Sequence, residues 1–133
     1  MVSSLKQAPN PTENRLLAAL ARDEYERLQP SLESVRLPKN RILLEAGDTI
    51  HHAYFLTSGM ASLLAITEDG RTIELGVVGN DGYVGVPLIH DVDSAAYRVM
   101  VQTQATAMKI EAEVLSGELE RGGALRRGYL WNA

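Results

Sequence analysis

The sequence predicts a mainly β domain of the jelly-roll type, a double-stranded β-helix, with helices flanking it at both ends. Short apolar runs separated by Gly, Pro, Asn and Asp fill the middle of the chain, a pattern typical of strands joined by turns. Asp69-Gly70 lies between two of these runs and indicates a hairpin, because glycine adopts positive φ without steric cost. Helical spacing of apolar residues precedes and follows this region.

The first element is predicted to be a helix. Asn10-Pro11-Thr12-Glu13 offers an N-cap, a proline at the first helical position and a glutamate that can close a capping box. Asn14 is an equally good cap, so the start of the helix is open between the two. Pro30 is expected to end it. The apolar positions at helical spacing are Leu16, Leu17, Leu20, Tyr25 and Leu28.

Seven strands and a second helix are predicted after this point. The turns between strands recur about every 8–12 residues, which favours a sandwich or a jelly roll. The predicted strands are Ser34–Leu37, Arg41–Glu45, Ala53–Thr57, Ala61–Thr67, Thr72–Val78, Tyr97–Thr103 and Thr106–Ile110. The second helix carries Ala112, Leu115 and Leu119 on one face and is expected to end at Gly122-Gly123. Ala124–Trp131 is predicted to start a further helix.

Composition restricts the class of protein. A chain of 133 residues is long enough for one domain with its own core. The absence of cysteine excludes disulfides, thiolate zinc sites and iron–sulfur clusters. No apolar run resembles a signal peptide or a membrane span, so a cytoplasmic protein is expected. The formal net charge of −4, with one small basic cluster at Arg121, Arg126 and Arg127, disfavours direct DNA binding by this piece.

This order of elements resembles the sensor domain of the Crp/Fnr family of transcription regulators, and the resemblance spans roughly residues 14–129. Five segments carry it: residues 41–48 resemble an early strand with its glycine-acid turn, and residues 54–59 resemble the next strand and the glycine after it. Residues 68–71 resemble the hairpin and 76–85 the run into a phosphate-binding turn. Residues 120–127 look like the entry to the helix that pairs two subunits.

The resemblance implies a β-roll that binds a small effector and signals through a dimer helix to a DNA-binding helix-turn-helix. The implied organisation is an N-terminal tail over 1–12, the β-roll with its flanking helices over 13–121, and the start of the dimerisation helix over 122–133. A helix-turn-helix is expected to be missing from this chain, so the chain is not expected to contact DNA by itself. The dimerisation helix implies that two copies can pair as a homodimer. The candidate dimer contacts are Leu125, Tyr129 and Leu130.

The resemblance also locates a candidate pocket for a cyclic nucleotide or another small effector. In the family, a glycine-glutamate-leucine-glycine turn and an arginine about ten residues later hold the ribose and the phosphate. Here Val86 stands where the glutamate would be, Pro87 removes a backbone donor, and Ala95 aligns with the arginine. A degenerate cyclic-nucleotide pocket is therefore expected. The candidate effector-binding residues are Gly85, Val86, Pro87, Leu88, Ala95, Ala96 and Arg98.

Structural alternatives exist for two of these residues. Arg98 is either a surface strand residue, as alternation along a strand favours, or a phosphate partner displaced by about three residues. Gly85 either supplies a tight turn that requires positive φ, or a turn that also binds the effector.

Catalytic and metal-binding patterns are not apparent in the sequence. Adjacent histidines on a strand point to opposite faces, so His51 and His52 are not expected to share a metal, and His90 lies in a polar loop. No nucleophile elbow or Walker loop occurs, and no enzymatic activity is predicted. The alternatives are a stand-alone cyclic-nucleotide-binding module regulating a kinase, channel or transporter, and a cupin-like metal enzyme.

Overall fold

The computed structural model describes residues 10–85 and 97–122. Three α-helices and six strands lie in these residues, and two short 3₁₀ turns lie at Pro11–Glu13 and Gln29–Ser31. The helices are α1 (Arg15–Ala18), α2 (Arg22–Leu28) and α3 (Ala112–Arg121). The strands are β1 (Glu33–Leu37), β2 (Ile42–Leu44), β3 (His52–Ile66), β4 (Thr72–Val78), β5 (Tyr83–Val84) and β6 (Arg98–Glu111).

Both proposed N-terminal caps are used. Asn10 forms the predicted capping box with Glu13, but the element it caps is the 3₁₀ turn. Asn14 then caps α1 by accepting hydrogen bonds from the amides of Leu16 and Leu17. The single helix expected up to Pro30 is wrong, because α1 ends at Ala18 and α2 begins at Arg22. Apolar spacing did not detect this break, because Leu17 and Leu28 still reach the same core.

Two pairs of predicted strands are each one continuous strand. Ala53–Thr57 and Ala61–Thr67 merge into β3, and the two strands predicted between Tyr97 and Ile110 merge into β6. The long strands pair antiparallel along their length, with Tyr54 opposite Lys109 and Leu63 opposite Val99. The two-residue strand β5 was not predicted from the sequence.

The remaining strands divide the long β3–β6 pair into two halves. β1 pairs with β6 over Ala105–Lys109 and β5 pairs with β3 at Tyr54 and Phe55, which forms one half. β2 and β4 pair with the opposite ends of the same two strands, which forms the other half. Register shifts in β3 between Leu56 and Ala61 lie where the halves meet. Since bulges bend and twist strands, they account for the rolled shape.

Gly59 lies at this junction and shows why the bend needs a residue without a side chain. Its φ is +78°, and a Cβ atom there would lie 2.5 Å from the Gln104 carbonyl oxygen and 2.6 Å from the Cα atom of Ala105. Real Cβ atoms do not approach backbone that closely, so β3 and β6 cross too tightly here for any other residue.

Two apolar cores result from this arrangement. The first lies between the two half-sheets and includes Leu44, Leu56 and Val99. The second lies between the β1–β6–β3–β5 half and the helices, where Leu17 and Leu119 pack against strand residues. The strand residues of this second core are Ala53, Phe55, Tyr83, Met108 and Ile110. The predicted jelly-roll architecture with flanking helices is therefore confirmed, and the predicted core face of α3 is buried.

Candidate functional site

Gly85 immediately follows β5 and is held against the start of β3. Its φ is +100°, and a Cβ atom there would lie 2.5 Å from the carbonyl oxygen of His52 and 2.9 Å from the Cα atom of Ala53. The side chain of Val84 belongs to the core inside the roll, whereas Tyr83 stacks on Phe55 in the helix-side core, with ring centroids 4.9 Å apart. Strand β5 is thus anchored on both faces, and the residue that follows it, Gly85, carries no side chain.

Arg98 is engaged in an ion pair at the start of β6. Its Nε donates a hydrogen bond to Oε1 of Glu45 over 2.8 Å, and the side chains are 28% and 37% exposed. Leu44 and Val99, the next residues along the two strands, are paired with each other and buried in the core inside the roll. Because side chains alternate along β6, Arg98 lies on the face opposite Val99, and its ion pair with Glu45 is therefore on the outer face of this half-sheet.

The same ion pair shifts the ionisation of both groups. The hydrogen bond from Arg98, assisted by its charge, holds the pKa of the Glu45 carboxyl below its ordinary value of 4.5, although partial desolvation opposes the shift. The hydrogen bond to Glu45 likewise raises the pKa of Arg98. An anionic effector would therefore have to reach Arg98 on the outer face and compete with a carboxylate that is already bound.

Two clefts lie around the start of β3, close to Gly85. One has a volume of about 200 Å³ and is lined by residues of the β2–β3 segment, including Glu45, Asp48 and Tyr54. The other has a volume of about 650 Å³ and extends to Glu111 and Glu113 at the start of α3. Thr49, His51 and His52 line both clefts.

His51 and His52 both line these two clefts, although adjacent residues on a strand are expected to face apart. His51 precedes the strand, which begins at His52, so strict alternation does not apply to the pair. Within residues 10–85 and 97–122, no group of three His, Cys, Asp or Glu side chains is arranged to hold a metal ion.

Several predicted site residues lie outside the described residues. These are the effector-binding candidates Val86, Pro87, Leu88, Ala95 and Ala96, and the dimer-helix candidates Leu125, Tyr129 and Leu130. The predicted helix start over Ala124–Trp131 lies there as well, as does His90. Of the seven effector candidates, the structure thus places Gly85 at a backbone turn beside His52 and Arg98 in an ion pair with Glu45.

Two contributors to the site were not singled out from the sequence. His52 supplies the carbonyl oxygen that excludes a side chain at Gly85, and this is a backbone role without a sequence signal. Glu45 is the partner of Arg98, and pairing the predicted strand Arg41–Glu45 with the strand that carries Arg98 would have identified it. None of the helices in the described part of the chain combines the length and apolar character that a membrane crossing requires.

Comparison with known proteins places this fold in a family. A family model described as "Cyclic nucleotide-binding domain" matches residues 34–121. A search of curated protein sequences returns no match.

Among solved structures, the N-terminal domain of a transcriptional regulator from Streptomyces coelicolor A3(2) is 25% identical, with a TM-score of 0.68. The match covers 90% of this chain and 86% of that domain. The c-di-GMP responsive global regulator CLP from Xanthomonas campestris is also 25% identical, with a TM-score of 0.64. That match covers 75% of this chain and 49% of CLP, so the chain corresponds to about half of that regulator.

A kinase regulatory subunit shares the fold at lower identity. The regulatory subunit of a cAMP-independent protein kinase A from Trypanosoma brucei is 17% identical with a TM-score of 0.66, over 82% of this chain and 39% of that one. The matched family and these neighbours are regulatory proteins. The chain therefore belongs to the cyclic nucleotide-binding domain family, with the fold that Crp/Fnr-type transcription regulators use for their sensor domains.

Proposed function

We propose that this chain is the effector-sensing domain of a Crp/Fnr-type transcription regulator, that it acts allosterically and not as an enzyme, and that it binds cyclic nucleotides weakly. The observation that carries the proposal is the turn at Gly85. In the family this turn holds the effector, and here its first residue is a glycine, because no other residue fits against the His52 carbonyl. The family's two charged anchors are replaced in the sequence by Val86 and Ala95.

The loss of these anchors has a large energetic consequence. A phosphate that is buried without a cationic partner loses its hydration and gains no ion pair in return. The resulting loss of binding free energy is several kcal/mol, which is on the order of a hundredfold or more in affinity. Arg98 is a poor substitute, because its guanidinium donates to Glu45 on the outer face of the half-sheet. An uncharged effector, or one bound through backbone groups, suits this turn better than cAMP or cGMP.

Signalling in the intact regulator is proposed to follow from a shift in population. An effector that binds one arrangement of the roll and its following helix more tightly increases the fraction of that arrangement. Leu125, Tyr129 and Leu130 are proposed to contact a second copy of the chain, and DNA contact by the regulator is proposed to be made by a helix-turn-helix and not by this domain.

A second candidate is a module that regulates an attached kinase. It is favoured by the structural likeness to the kinase regulatory subunit, which at 17% identity concerns the fold alone. The gene sequence that follows residue 133 distinguishes the two candidates. A helix-turn-helix there supports the transcription regulator, and a kinase domain or a second cyclic nucleotide-binding domain supports the alternative.

The test is a thermal-shift titration of the chain with cAMP, cGMP and c-di-GMP at millimolar concentration. A ligand at about 100 times its dissociation constant adds about 2.7 kcal/mol of stability, which raises the melting temperature of a domain of this size by several degrees. No such rise is expected for cAMP or cGMP. A rise of several degrees with either would overturn the proposed weak binding.

A gain-of-function variant provides the matched control. Val86→Glu combined with Ala95→Arg restores the family's ribose and phosphate anchors at the positions that the resemblance assigns to them. The double variant is expected to show a cAMP-dependent rise that the unmodified chain lacks, and Val86→Gln with Ala95→Gln is expected to show none. If the Glu/Arg variant is folded and still does not respond, the turn after Gly85 is not the nucleotide cradle.

A further inference from the structure

Asn14 is a fully buried polar residue whose side chain joins three segments of the chain. Its Oδ1 accepts hydrogen bonds from the amides of Leu16 and Leu17 over 3.0 and 3.2 Å, which caps α1. Its Nδ2 donates to the carbonyl oxygens of Leu56 and Gly82 over 2.7 and 2.8 Å. An amide side chain has two donor hydrogens and an oxygen with two lone pairs, so every hydrogen-bonding position of Asn14 is occupied.

The segment reached by these donors leads directly to the candidate effector site. Gly82 precedes β5, and the turn after β5 begins at Gly85. Two further bonds hold the same loop to the N-terminal segment: the Arg15 amide donates to the Asn80 carbonyl over 2.7 Å, and Asn80 Nδ2 donates to the Glu13 carbonyl over 3.2 Å. The residues around the start of α1 therefore contact the loop before β5 through three hydrogen bonds, and Asn14 adds a fourth to Leu56 of β3.

The N-terminal helices also contact the last described helix. Nε of Arg27, on α2, donates to both carboxylate oxygens of Glu118, on α3, over 3.1 and 3.2 Å. This hydrogen bond is the main cause that raises the pKa of Arg27. Leu17 of α1 and Leu119 of α3 are buried in the same core. One pair of short helices thus contacts the loop before β5 at one end and α3 at the other.

We propose that Asn14 is a positioning residue for the effector site, which makes the N-terminal helices and the Gly82–Gly85 segment move as one unit. Displacement of the Gly82–Gly85 segment is then transmitted through α1, α2 and the Arg27–Glu118 pair to α3. The link to an effector rests on the function proposed above, whereas the mechanical coupling between Asn14 and the turn does not depend on it. Coupling between two sites requires an element whose position both sites influence. The N-terminal helices are in contact with both the Gly82–Gly85 segment and α3.

The test compares Asn14→Ser with Asn10→Ser by residue-resolved amide hydrogen exchange of the unliganded chain. Serine keeps a capping oxygen in both variants, but Asn10 is exposed and caps the 3₁₀ turn without reaching β5. Asn14→Ser is expected to lower protection in β5, at Tyr83 and Val84, by about tenfold or more, since two buried carbonyls lose their donors. Protection in the β1–β6 pair is expected to change by much less.

A second substitution, Asn14→Asp, gives a pH dependence of amide protection that general destabilisation of the fold would not produce. Asn14→Asp retains the acceptor that caps α1 and loses both donations while its carboxyl is ionised. On protonation the carboxyl regains one donor, so protection of β5 is expected to recover as the pH falls. Other titratable groups lie beside the two bonded residues: Glu13 and Arg15 flank Asn14, and Asp81 precedes Gly82. All three are also present in Asn14→Ser, so that variant controls for their titration and is expected to show no recovery.

The outcomes separate this proposal from the proposed function. Loss of protection confined to β5 and the adjoining loop, with recovery at low pH in Asn14→Asp, supports the coupling. A uniform loss over all strands, or no loss, overturns it. If Asn14→Ser fails to fold, Asn80→Ala removes one exposed bond of the same contact and is expected to lower β5 protection by a few fold. Because no ligand is used, a failed nucleotide titration leaves this test intact.

Discussion

Replacing Gly85 with alanine tests whether this residue is packed as tightly against β3 as the structure indicates. The substitution adds one methyl group at a residue with φ of +100°, a conformation that L-amino acids rarely adopt. The new Cβ would lie 2.5 Å from the His52 carbonyl oxygen and 2.9 Å from the Ala53 Cα. Both neighbours are backbone atoms of β3, which cannot rotate away as a side chain could.

The chain contains a control that separates backbone strain from steric overlap. Gly70 in the β3–β4 hairpin has a similar φ of +87°, but a Cβ atom there would meet nothing within 4 Å. Gly70→Ala is therefore expected to cost only the conformational strain, about 1–2 kcal/mol. Gly85→Ala adds an overpacking cost of about 1–3 kcal/mol to the same strain, so about 2–5 kcal/mol of unfolding free energy is expected to be lost.

Urea denaturation of the two variants and the unmodified chain provides the measurement. The change in the unfolding midpoint at unchanged slope gives the loss of stability directly. The reasoning is refuted if Gly85→Ala destabilises the chain no more than Gly70→Ala does. In that case the segment after β5 would have room to relax away from His52, and glycine would serve there as an ordinary turn residue.

Three further predictions concern the regions around the site. Glu45→Gln is expected to destabilise the chain at neutral pH more than the exposed control Glu68→Gln. This difference is expected to shrink as the pH falls below about 4.5, because the pKa of Glu45 is lowered in the folded chain and the resulting stability is lost when the carboxyl is protonated. Urea denaturation of both variants at pH 7 and at pH 3 measures the difference. Gly117→Ala, on the exposed face of α3 with open space around its Cβ position, is expected to add about 1 kcal/mol, and thermal unfolding that shows a loss would contradict this. Leu119→Ala, at 0% exposure, is expected to cost about 2–5 kcal/mol in the same assay, and a cost below about 1 kcal/mol would mean that α3 does not pack as described.

Local chemistry was predictable from the sequence where neighbouring residues decide the structure. The capping box at Asn10 and the cap at Asn14 both form, because each depends only on residues two or three positions away. The hairpin at Asp69-Gly70 forms for the same reason. The face of α3 that carries Leu115 and Leu119 is buried as predicted, since helical spacing fixes which side chains share a face.

The continuity of β3 was not predictable by the same reasoning. Ser58, Gly59 and Met60 look like a turn, because a serine and a glycine interrupt the apolar pattern. The strand continues through them because β6 pairs along the whole length, with Ser58 opposite Thr106 and register shifts on both sides. The partner that keeps the strand extended lies far away in sequence. A local pattern therefore predicts the interruption and cannot distinguish a bulge from a turn.

The candidate site illustrates the same limit for function. Gly85 was compatible with a simple turn or with a ligand cradle, and the contact with the His52 carbonyl that excludes a side chain there comes from strand pairing. For Arg98, alternation favoured a surface position but could not identify Glu45 as its partner. In each case the residue type was predictable and the partner depended on the register of the sheet. Because the register brings Glu45 to Arg98, the guanidinium is already paired with a carboxylate, and this is the structural observation behind the proposal that Arg98 does not replace a phosphate anchor.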